Sequence, residues 1–232
     1  MLLAAILIFG YLAKKPALSQ DASKIFTLVW SASSFTPPEY EGKALPTEGS
    51  EIKVVATPQN SGINSEEMIY RWLLDDDLKY QSNGRGKNYF IFTAQKPAGG
   101  RYEIETQILD ETENLLSRQF LTIKIYNPEI LISDRQKTYL SKTIFAALGQ
   151  ELEFLSAPLF FNIENPQELD FSWEMDDRIF SSPNQTNSQE VSVKIPSGKI
   201  SEKITKTILV NAVKKTDDFE RSRREITLEI DK

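Results

Sequence analysis

The sequence contains no cysteine and no histidine. Without cysteine there is no disulfide framework and no thiol nucleophile, and without histidine there is no imidazole for a catalytic triad or a proton shuttle. Zinc sites built from these two residue types are excluded for the same reason. We therefore expect a protein that uses no cofactor, and any catalysis would be left to carboxylates.

Basic residues are outnumbered by acidic ones, 27 against 33, which gives a net charge of −6 in 232 residues. Because binding to a phosphate backbone needs a concentrated positive face, we do not expect a nucleic-acid partner. The hydrophobic fraction of 40% is ordinary for a folded protein. The length leaves room for one large domain or for two of about 100 residues each.

One long apolar run is present, from Met1 to Ala13, and a pair of lysines ends it. It is too short for a transmembrane helix, which needs about 20 residues, but it fits the apolar region of a signal peptide. Ala17 and Ser19 supply small residues at positions −3 and −1 of a cleavage site before Gln20. We assign residues 1–22 to a signal peptide or membrane anchor; a buried N-terminal strand or helix is the alternative.

An internal repeat organises the rest of the chain. The segment from Gly49 to Pro58 aligns with the segment from Gly149 to Pro158, with Gly, Glu, Pro and the apolar positions in register. Further on, 70–76 aligns with 171–177 in the shared pattern aromatic-x-Trp-x-apolar-Asp-Asp. Such self-similarity indicates two copies of one structural unit. We place the two copies at 23–127 and 128–232.

Apolar residues alternate with polar ones inside each copy, as at Ile52, Val54 and Ala56, and Gly, Pro, Asn and Ser fall between these runs. A period of two indicates strands with one buried face. Several short strands with a Trp on the third are typical of an immunoglobulin-like sandwich. The predicted strands are 25–32, 51–57, 67–74, 88–94, 101–109 and 119–126 in the first copy, and 129–133, 151–157, 169–175, 189–195, 202–213 and 224–230 in the second.

The element aromatic-x-Trp-x-apolar-Asp-Asp, followed by a turn, resembles the strand-C signature of polycystic-kidney-disease (PKD) domains and related bacterial immunoglobulin-like repeats. The segment 28–46 is similar to uncharacterised exported bacterial proteins that carry such sandwiches in tandem. The resemblance implies an all-β fold of two tandem immunoglobulin-like (PKD-like) β-sandwiches after the N-terminal apolar segment. It implies no particular ligand, because such modules serve as spacers, adhesins and carbohydrate-binding accessories.

The two repeated tryptophans, Trp72 and Trp173, are expected in the two cores, since an indole buries a large apolar surface between sheets. Tyr70 and Phe171 lie two residues earlier, so in a strand they point to the same face. We interpret all four as structural core residues.

The strongest acidic clusters are Asp75-Asp76-Asp77 and Asp176-Asp177. Carboxylate oxygens suit Ca²⁺, but a site also needs further oxygen ligands, and no Asp-x-Asp-x-Asp-Gly loop supplies them. We expect solvated turns and no metal site, with these aspartates as the Ca²⁺ candidates if one exists. Their presence in both copies favours a structural role over catalysis.

The first copy carries an aromatic and proline-rich stretch that the second lacks, with Trp30, Phe35 and Tyr40 as candidate binding residues. Such rings can stack on a sugar or hold a partner peptide. The alternative is a crossing segment that covers a sheet edge.

The joint between the copies is short, because Asn127-Pro128 leads directly into an apolar run without a Gly/Ser-rich spacer. We expect the units to be held end to end. A concave surface at this junction would be lined by Tyr139, Phe145, Phe160 and Phe161.

These features favour a non-catalytic exported protein of the bacterial cell envelope, periplasmic, on the cell surface or extracellular. It would act as a structural spacer, an adhesion module or a protein-interaction module, with a protein or a cell-surface polymer as partner and the membrane contacted only through the N-terminal segment. The alternative is a carbohydrate-binding accessory module. An enzyme is not expected.

The assignment of the N-terminal segment predicts export. Mass spectrometry of the native protein should find a mature N-terminus near Gln20, or an intact chain in the membrane fraction. Recovery of the full-length chain from the cytosol would contradict export.

Overall fold

The computed structural model describes residues 25–59, 62–134, 142–179 and 189–230. The N-terminal segment 1–22 and Tyr139 lie outside these ranges. The strands of the first copy are β1 (Phe26–Ala32), β2 (Glu51–Pro58), β3 (Ile69–Leu74), β4 (Asp77–Leu78), β5 (Gly84–Arg85), β6 (Tyr89–Thr93), β7 (Arg101–Leu109) and β8 (Leu115–Lys124).

The strands of the second copy are β9 (Glu129–Asp134), β10 (Thr143–Ala146), β11 (Glu151–Leu159), β12 (Leu169–Met175), β13 (Arg178–Ile179), β14 (Glu190–Lys194), β15 (Ile204–Lys214) and β16 (Asp217–Ile230). Short 3-10 helices lie at Tyr80–Ser82 and Pro166–Glu168. No helix in the described ranges is long and apolar enough to cross a bilayer.

Each copy folds into two facing sheets. In the first copy one sheet has the order β1-β2-β6 and the other β4-β3-β7-β8, with β5 also paired to β3. In the second copy the sheets are β9-β11-β14 and β10-β16-β15-β12-β13. Neighbouring strands pair antiparallel except β10 and β16, which run parallel. Two sheets with this strand order form an immunoglobulin-like sandwich, so the chain is all-β with two such domains in tandem.

The alternating pattern creates the cores because one face of each strand turns inward. In β2 the side chains of Ile52, Val54 and Ala56 are fully buried while Glu51 and Lys53 are exposed. Two separate hydrophobic clusters result, one in each sandwich.

Trp72 and Trp173 lie at the centres of the two clusters, and both are fully buried. The ring of Trp72 stacks on Phe90 with centroids 5.9 Å apart, and the ring of Trp173 stacks on Phe154 at 6.4 Å. The Trp72 Nε1 donates to the Lys87 carbonyl at 2.9 Å, so the buried indole N–H is satisfied. Tyr70 and Phe171 are buried in the same clusters.

Strands β10 and β16 differ most from the sequence-based expectation, which also did not include the two-residue strands β4, β5 and β13. The run Thr143–Ala146 carries no clear alternation, yet it forms β10 and pairs parallel with the end of β16. The last strand begins at Asp217 instead of 224, so the basic run Arg221–Arg224 lies within β16. Pairing explains this extension, since β15 continues through Lys214 and offers partners to every residue from Arg221 to Ile230.

One buried group in the first core is unsatisfied. The Thr106 hydroxyl is fully buried beside Trp72 on the adjacent strand and has no hydrogen-bond partner within the described structure. The second domain has Val210 at the corresponding place beside Trp173. The two cores therefore differ by one hydroxyl at the same position.

This difference predicts that Thr106→Val stabilises the first domain. Removing a buried hydroxyl without a partner should raise the free energy of unfolding by about 1 kcal/mol. Thermal unfolding measures the effect, and Val210→Thr in the second domain is the matched control, expected to destabilise. A lower melting temperature for Thr106→Val would contradict the assignment.

Candidate functional site

The segment between β1 and β2, residues 33–50, connects the two domains. The Phe35 N–H donates to the Phe161 carbonyl at 2.7 Å, and the Phe160 N–H donates to the Phe35 carbonyl, also at 2.7 Å. The Phe35 ring packs against the hydrophobic cluster of the second domain. A residue of the first domain thus completes the packing of the second.

A polar cluster made by the buried Thr47 and Ser50 and the half-buried Asn162 lies next to this contact. The Ser50 hydroxyl donates to Asn162 Oδ1 at 2.7 Å, and Asn162 Nδ2 donates to Thr47 Oγ1 at 3.2 Å and to the Glu48 carbonyl at 2.8 Å. The Thr47 hydroxyl in turn donates to the Phe160 carbonyl at 3.0 Å. Thr47 and Ser50 are 1% and 0% exposed. Every polar group of the Asn162 amide is used between the domains.

Both copies have a similar local turn at this place, and the cluster builds on it in the first copy. In the second copy the Gln150 side chain accepts from the Ala147 N–H at 2.9 Å. In the first copy the Ser50 hydroxyl accepts from the Thr47 N–H at the same distance. The shorter serine side chain makes the same local bond but keeps its hydroxyl proton for Asn162. Gly49, at φ +92°, lies just before it, and a Cβ there would come within 3.1 Å of Asn162 Nδ2.

The second domain holds Asn162 in place from its other side. The Asn162 N–H donates to the Glu220 carboxylate, and Lys214 Nζ donates to the Asn162 carbonyl at 2.6 Å. Lys214 Nζ and Glu220 Oε2 form an ion pair at 2.9 Å, in which both side chains are largely buried. A buried pair is tolerated when its remaining hydrogen bonds are satisfied, as they are here by the backbone of Asn162.

The chain crosses between the domains directly beside this cluster. The Tyr126 N–H donates to the Pro46 carbonyl at 2.8 Å, and Thr47 and Tyr126 form a parallel bridge. The expected domain boundary at 127/128 falls between β8 and β9. A cleft of about 420 Å³ opens here, lined by Thr47, Glu48, Gly49, Ala98, Tyr126, Asn127, Pro128, Asp217, Phe219 and Glu220.

The structure gives each of the three candidate binding aromatics an intramolecular partner. Trp30 packs on the first core, with Lys43 Nζ 3.2 Å from its ring centroid. Phe35 packs on the second core, and Tyr40 meets Phe160 edge to face with centroids 5.7 Å apart. The proline-rich stretch therefore joins the two domains, and its rings do not form one common surface.

The concave surface expected at the junction is wrong in its lining. Phe160 and Phe161 are buried by Tyr40, Phe35 and the second core. Phe145 is exposed but lies on β10 beside Glu229, at the opposite end of β16 from Glu220. Phe145 lies at that end because β10 pairs parallel with β16, a pairing that the sequence did not indicate.

The repeated aspartates form two-residue turns. Leu74 pairs with Asp77, so Asp75 and Asp76 are the turn between β3 and β4, with φ of 50° and 67°. Asp176 and Asp177 form the turn between β12 and β13, with φ of 47° and 63°. Positive φ at both central residues is typical of a type I′ hairpin turn, which favours Asn, Asp and Gly.

The first aspartate of each pair also bonds its turn to the neighbouring strand of the sheet, β7 in the first domain and β15 in the second. Asp75 accepts from the Glu103 N–H at 3.0 Å and from Lys96 Nζ at 2.6 Å. Asp176 accepts from the Thr207 N–H at 3.1 Å and from Lys206 Nζ at 2.6 Å. The same clamp thus appears in both domains. Within the described ranges no group of three or more acidic side chains is arranged to hold a metal ion.

These contacts lower the pKa of both carboxyl groups. Partial burial opposes ionisation of Asp75, but the hydrogen bonds from Lys96 and Glu103 outweigh it and hold its pKa below the ordinary 3.8. The hydrogen bond from Lys206, followed by that from Thr207, lowers the pKa of Asp176. A carboxyl group whose pKa is lower in the folded than in the unfolded state stabilises the fold at pH values above its unfolded-state pKa. This stabilisation is lost as the pH falls through the folded-state pKa.

We expect Asp176→Asn and Asp75→Asn to destabilise their domains at pH 7 by about 0.5 kcal/mol, a value usual for an exposed ion pair. Asn still fits the turn, so the variants remove charge alone. The difference from the wild type should shrink as the pH falls below 3.8, because the wild-type carboxyls then protonate. Melting curves at several pH values measure it, with Asp177→Asn as control. A difference independent of pH would contradict the clamp.

No protein-family model and no curated protein matches the sequence. Solved structures resemble it at low identity. The three N-terminal domains of the highly immunogenic outer capsid protein of bacteriophage RB49 are 12% identical, with a TM-score of 0.41, over 88% of this chain and 58% of that one, so this chain spans less than two thirds of it.

Two further structures show a similar range of likeness. The fibronectin(III)-like modules of Clostridium thermocellum CbhA are 13% identical, with a TM-score of 0.29, over 87% of this chain and 93% of that one. Bacteroides ovatus SGBP-B, solved with a mixed-linkage heptasaccharide, is 7% identical, with a TM-score of 0.26, over 87% and 47%. The immunoglobulin-like fold of this chain rests on the strand order of its own sheets.

Proposed function

We propose that the protein is a non-catalytic, exported module of the bacterial cell envelope that holds two sandwiches in one fixed arrangement. It would act as a spacer or present an interaction surface to a protein or a cell-surface polymer. The observation that carries the proposal is the hydrogen-bonded cluster of Thr47, Ser50 and Asn162 between the domains. A module whose role is to set distance and orientation needs such a joint.

The packing of Phe35 supports the same role. The backbone bonds at Phe35 run in both directions between the domains, and its ring packs on the second core. Reorientation of one domain would break these bonds and expose apolar surface, which costs free energy. Short linkers alone restrict motion, and here buried contacts act on both sides of the linker.

The aspartates also favour a structural role. Catalysis by carboxylates alone needs two of them facing each other across a cleft. The Asp75 and Asp176 carboxylates instead lie in equivalent hairpin turns of two different domains, each bonded to a lysine and a backbone N–H. The carbohydrate-binding alternative depends on Trp30, Phe35 and Tyr40, and the partner that each of these half-buried rings has within the protein favours the structural role.

The test is a distance measurement between the domains. Because the chain has no cysteine, spin labels can be attached at Glu67→Cys and Glu202→Cys alone. Double electron–electron resonance, with labelled protein diluted in unlabelled protein, should give one narrow distance distribution. A broad distribution in the wild type would contradict a fixed joint.

Substitutions at the joint should broaden that distribution. Asn162→Ala removes the acceptor of the Ser50 hydroxyl proton and the donor to the Thr47 hydroxyl and the Glu48 carbonyl, at a cost of about 1–3 kcal/mol. Phe35→Ala removes the ring from the second core. Matched controls are Asn211→Ala, which removes an amide bonded to Glu174 within one sheet, and Phe145→Ala at an exposed position. The controls should keep the narrow distribution.

A further inference from the structure

Strand β6 is an open edge of the first domain. Within the described ranges β6 pairs only with β2. The Ala94 N–H donates to the Ser50 carbonyl, and the Ala56 N–H donates to the Asn88 carbonyl. The backbone groups of Asn88 and Ala94, and by alternation those of Phe90 and Phe92, therefore face β2. Along an antiparallel pair the backbone N–H and C=O groups of successive residues point alternately toward and away from the partner strand. Those of Tyr89, Ile91 and Thr93 therefore point away from β2. They form a free edge.

The sequence of this edge strand carries none of the features that usually block pairing. Natural edge strands carry charged residues, proline or a bulge that blocks a second strand. The sequence of β6 is Tyr-Phe-Ile-Phe-Thr, and its pairing with β2 is regular from Tyr89 to Thr93. On its outer face Tyr89 is 47% and Ile91 is 40% exposed.

The repeat supplies a direct comparison, because β14 is the same edge in the second domain. Tyr89, Ile91 and Thr93 pair with Val55, Lys53 and Glu51 of β2. Their counterparts, which pair with the equivalent residues of β11, are Glu190, Ser192 and Lys194. The second domain therefore has charged residues at the two positions where the first has Tyr89 and Thr93. Charge, which blocks the pairing of edge strands, is present on the edge of the second domain and absent from that of the first.

We propose that β6 pairs antiparallel with β6 of a second copy of this chain, with Ile91 opposite Ile91 on the two-fold axis. This register places Tyr89 opposite Thr93 on each side, and all three residues have their backbone groups on the free edge. Each copy thereby supplies hydrogen-bond partners for the free backbone groups of the other. The interface is isologous, as in most homodimers.

The charges beside the edge fit the same register. Lys53 Nζ lies 5.2 Å from the Tyr89 ring centroid, so its charge lies over β6. In the dimer Tyr89 is opposite Thr93 of the second copy, and Thr93 is paired within its own sheet with Glu51. Lys53 of one copy and Glu51 of the other thus approach across the interface over the small Thr93. β6 itself adds no like charges, which would oppose pairing.

The inner side of the edge leaves room for a neighbour. A cleft of about 640 Å³ lies between β6 and the 3-10 helix at Tyr80–Ser82, with Phe92 and Tyr102 in its lining. The rings of Phe90 and Phe92 point inward and stack at 5.2 Å. In the proposed register Phe90 of one copy is opposite Phe92 of the other, which extends the aromatic row across the two-fold axis.

The first test is the mass of the full chain in solution. Sedimentation velocity over a range of concentrations should show a species of twice the 26.4 kDa chain mass, or twice the mature mass if the N-terminal segment has been removed. A wild-type protein that stays monomeric, or forms only a broad series of aggregates, overturns the proposal. The double variant Tyr89→Glu with Ile91→Ser, which copies the second domain, should weaken association at least tenfold.

Ile91→Pro keeps the test valid should the double variant fail to fold. The Ile91 N–H points away from β2, so proline removes a free-edge donor and no bond of the existing sheet. It should abolish the dimer while the melting transition persists. Val29→Ser, at an exposed position on β1 of the same sheet, is the control and should leave the dimer intact. A dimer that survives Ile91→Pro lies on another surface and overturns the proposal.

Cross-linking tests the register itself. Hydrogen-bonded antiparallel partners have Cα atoms about 5.5 Å apart, within disulfide range. Since the wild-type chain has no cysteine, Ile91→Cys should form a disulfide dimer on mild oxidation. Ser192→Cys, at the equivalent place in the second domain, should stay monomeric under the same conditions. Equal cross-linking of both variants, or no cross-linking of the Ile91→Cys variant, contradicts the proposed register.

Discussion

The arrangement of the molecule depends on one side-chain amide at the joint, that of the half-buried Asn162. Asn162 uses its carbonyl oxygen and both amide hydrogens on groups of the first domain, while its own backbone is bonded by Lys214 and Glu220 of the second. A buried polar group without a partner costs far more than the net gain from a satisfied one. The joint is therefore selective: one relative position of the domains satisfies all of these groups, and other positions leave several unpaired.

Comparison of the two copies separates what the fold requires from what each domain adds. The turn clamp is the same in both, with an aspartate bonded to a backbone N–H and a lysine. The edge strands differ, since Tyr89 and Thr93 stand where the second copy has Glu190 and Lys194. The joint differs too, because Ser50 replaces Gln150 in an otherwise similar turn. The shared turn clamp stabilises each sandwich, whereas Ser50, found in one copy alone, makes a contact to the other domain.

Much of the fold could be predicted because it follows from local patterns. Alternation at Ile52, Val54 and Ala56 marks a half-buried strand without knowledge of its partners, and the repeated Trp72 and Trp173 mark the same strand twice. The parallel strand β10 could not be predicted, because its four residues have no pattern of their own and form a strand only through pairing with β16.

The junction was harder to predict because its residues act over long sequence distances. Phe35 and Tyr40 look like surface aromatics in sequence, and only the approach of residues 160–162 gives them partners. Asn162 follows two phenylalanines and belongs to no motif. The replacement of Gln150 by Ser50 between well-aligned segments was the one available signal, and it identifies the position without naming the partner.

The central claim is that the two domains form one rigid body. Residual dipolar couplings of backbone amides measure the orientation of each domain against a common frame. A rigid joint predicts that a single alignment tensor fits the couplings of both domains with the relative orientation described here. Two different tensors, or clearly smaller alignment of one domain, would show that the joint is mobile and would contradict the claim.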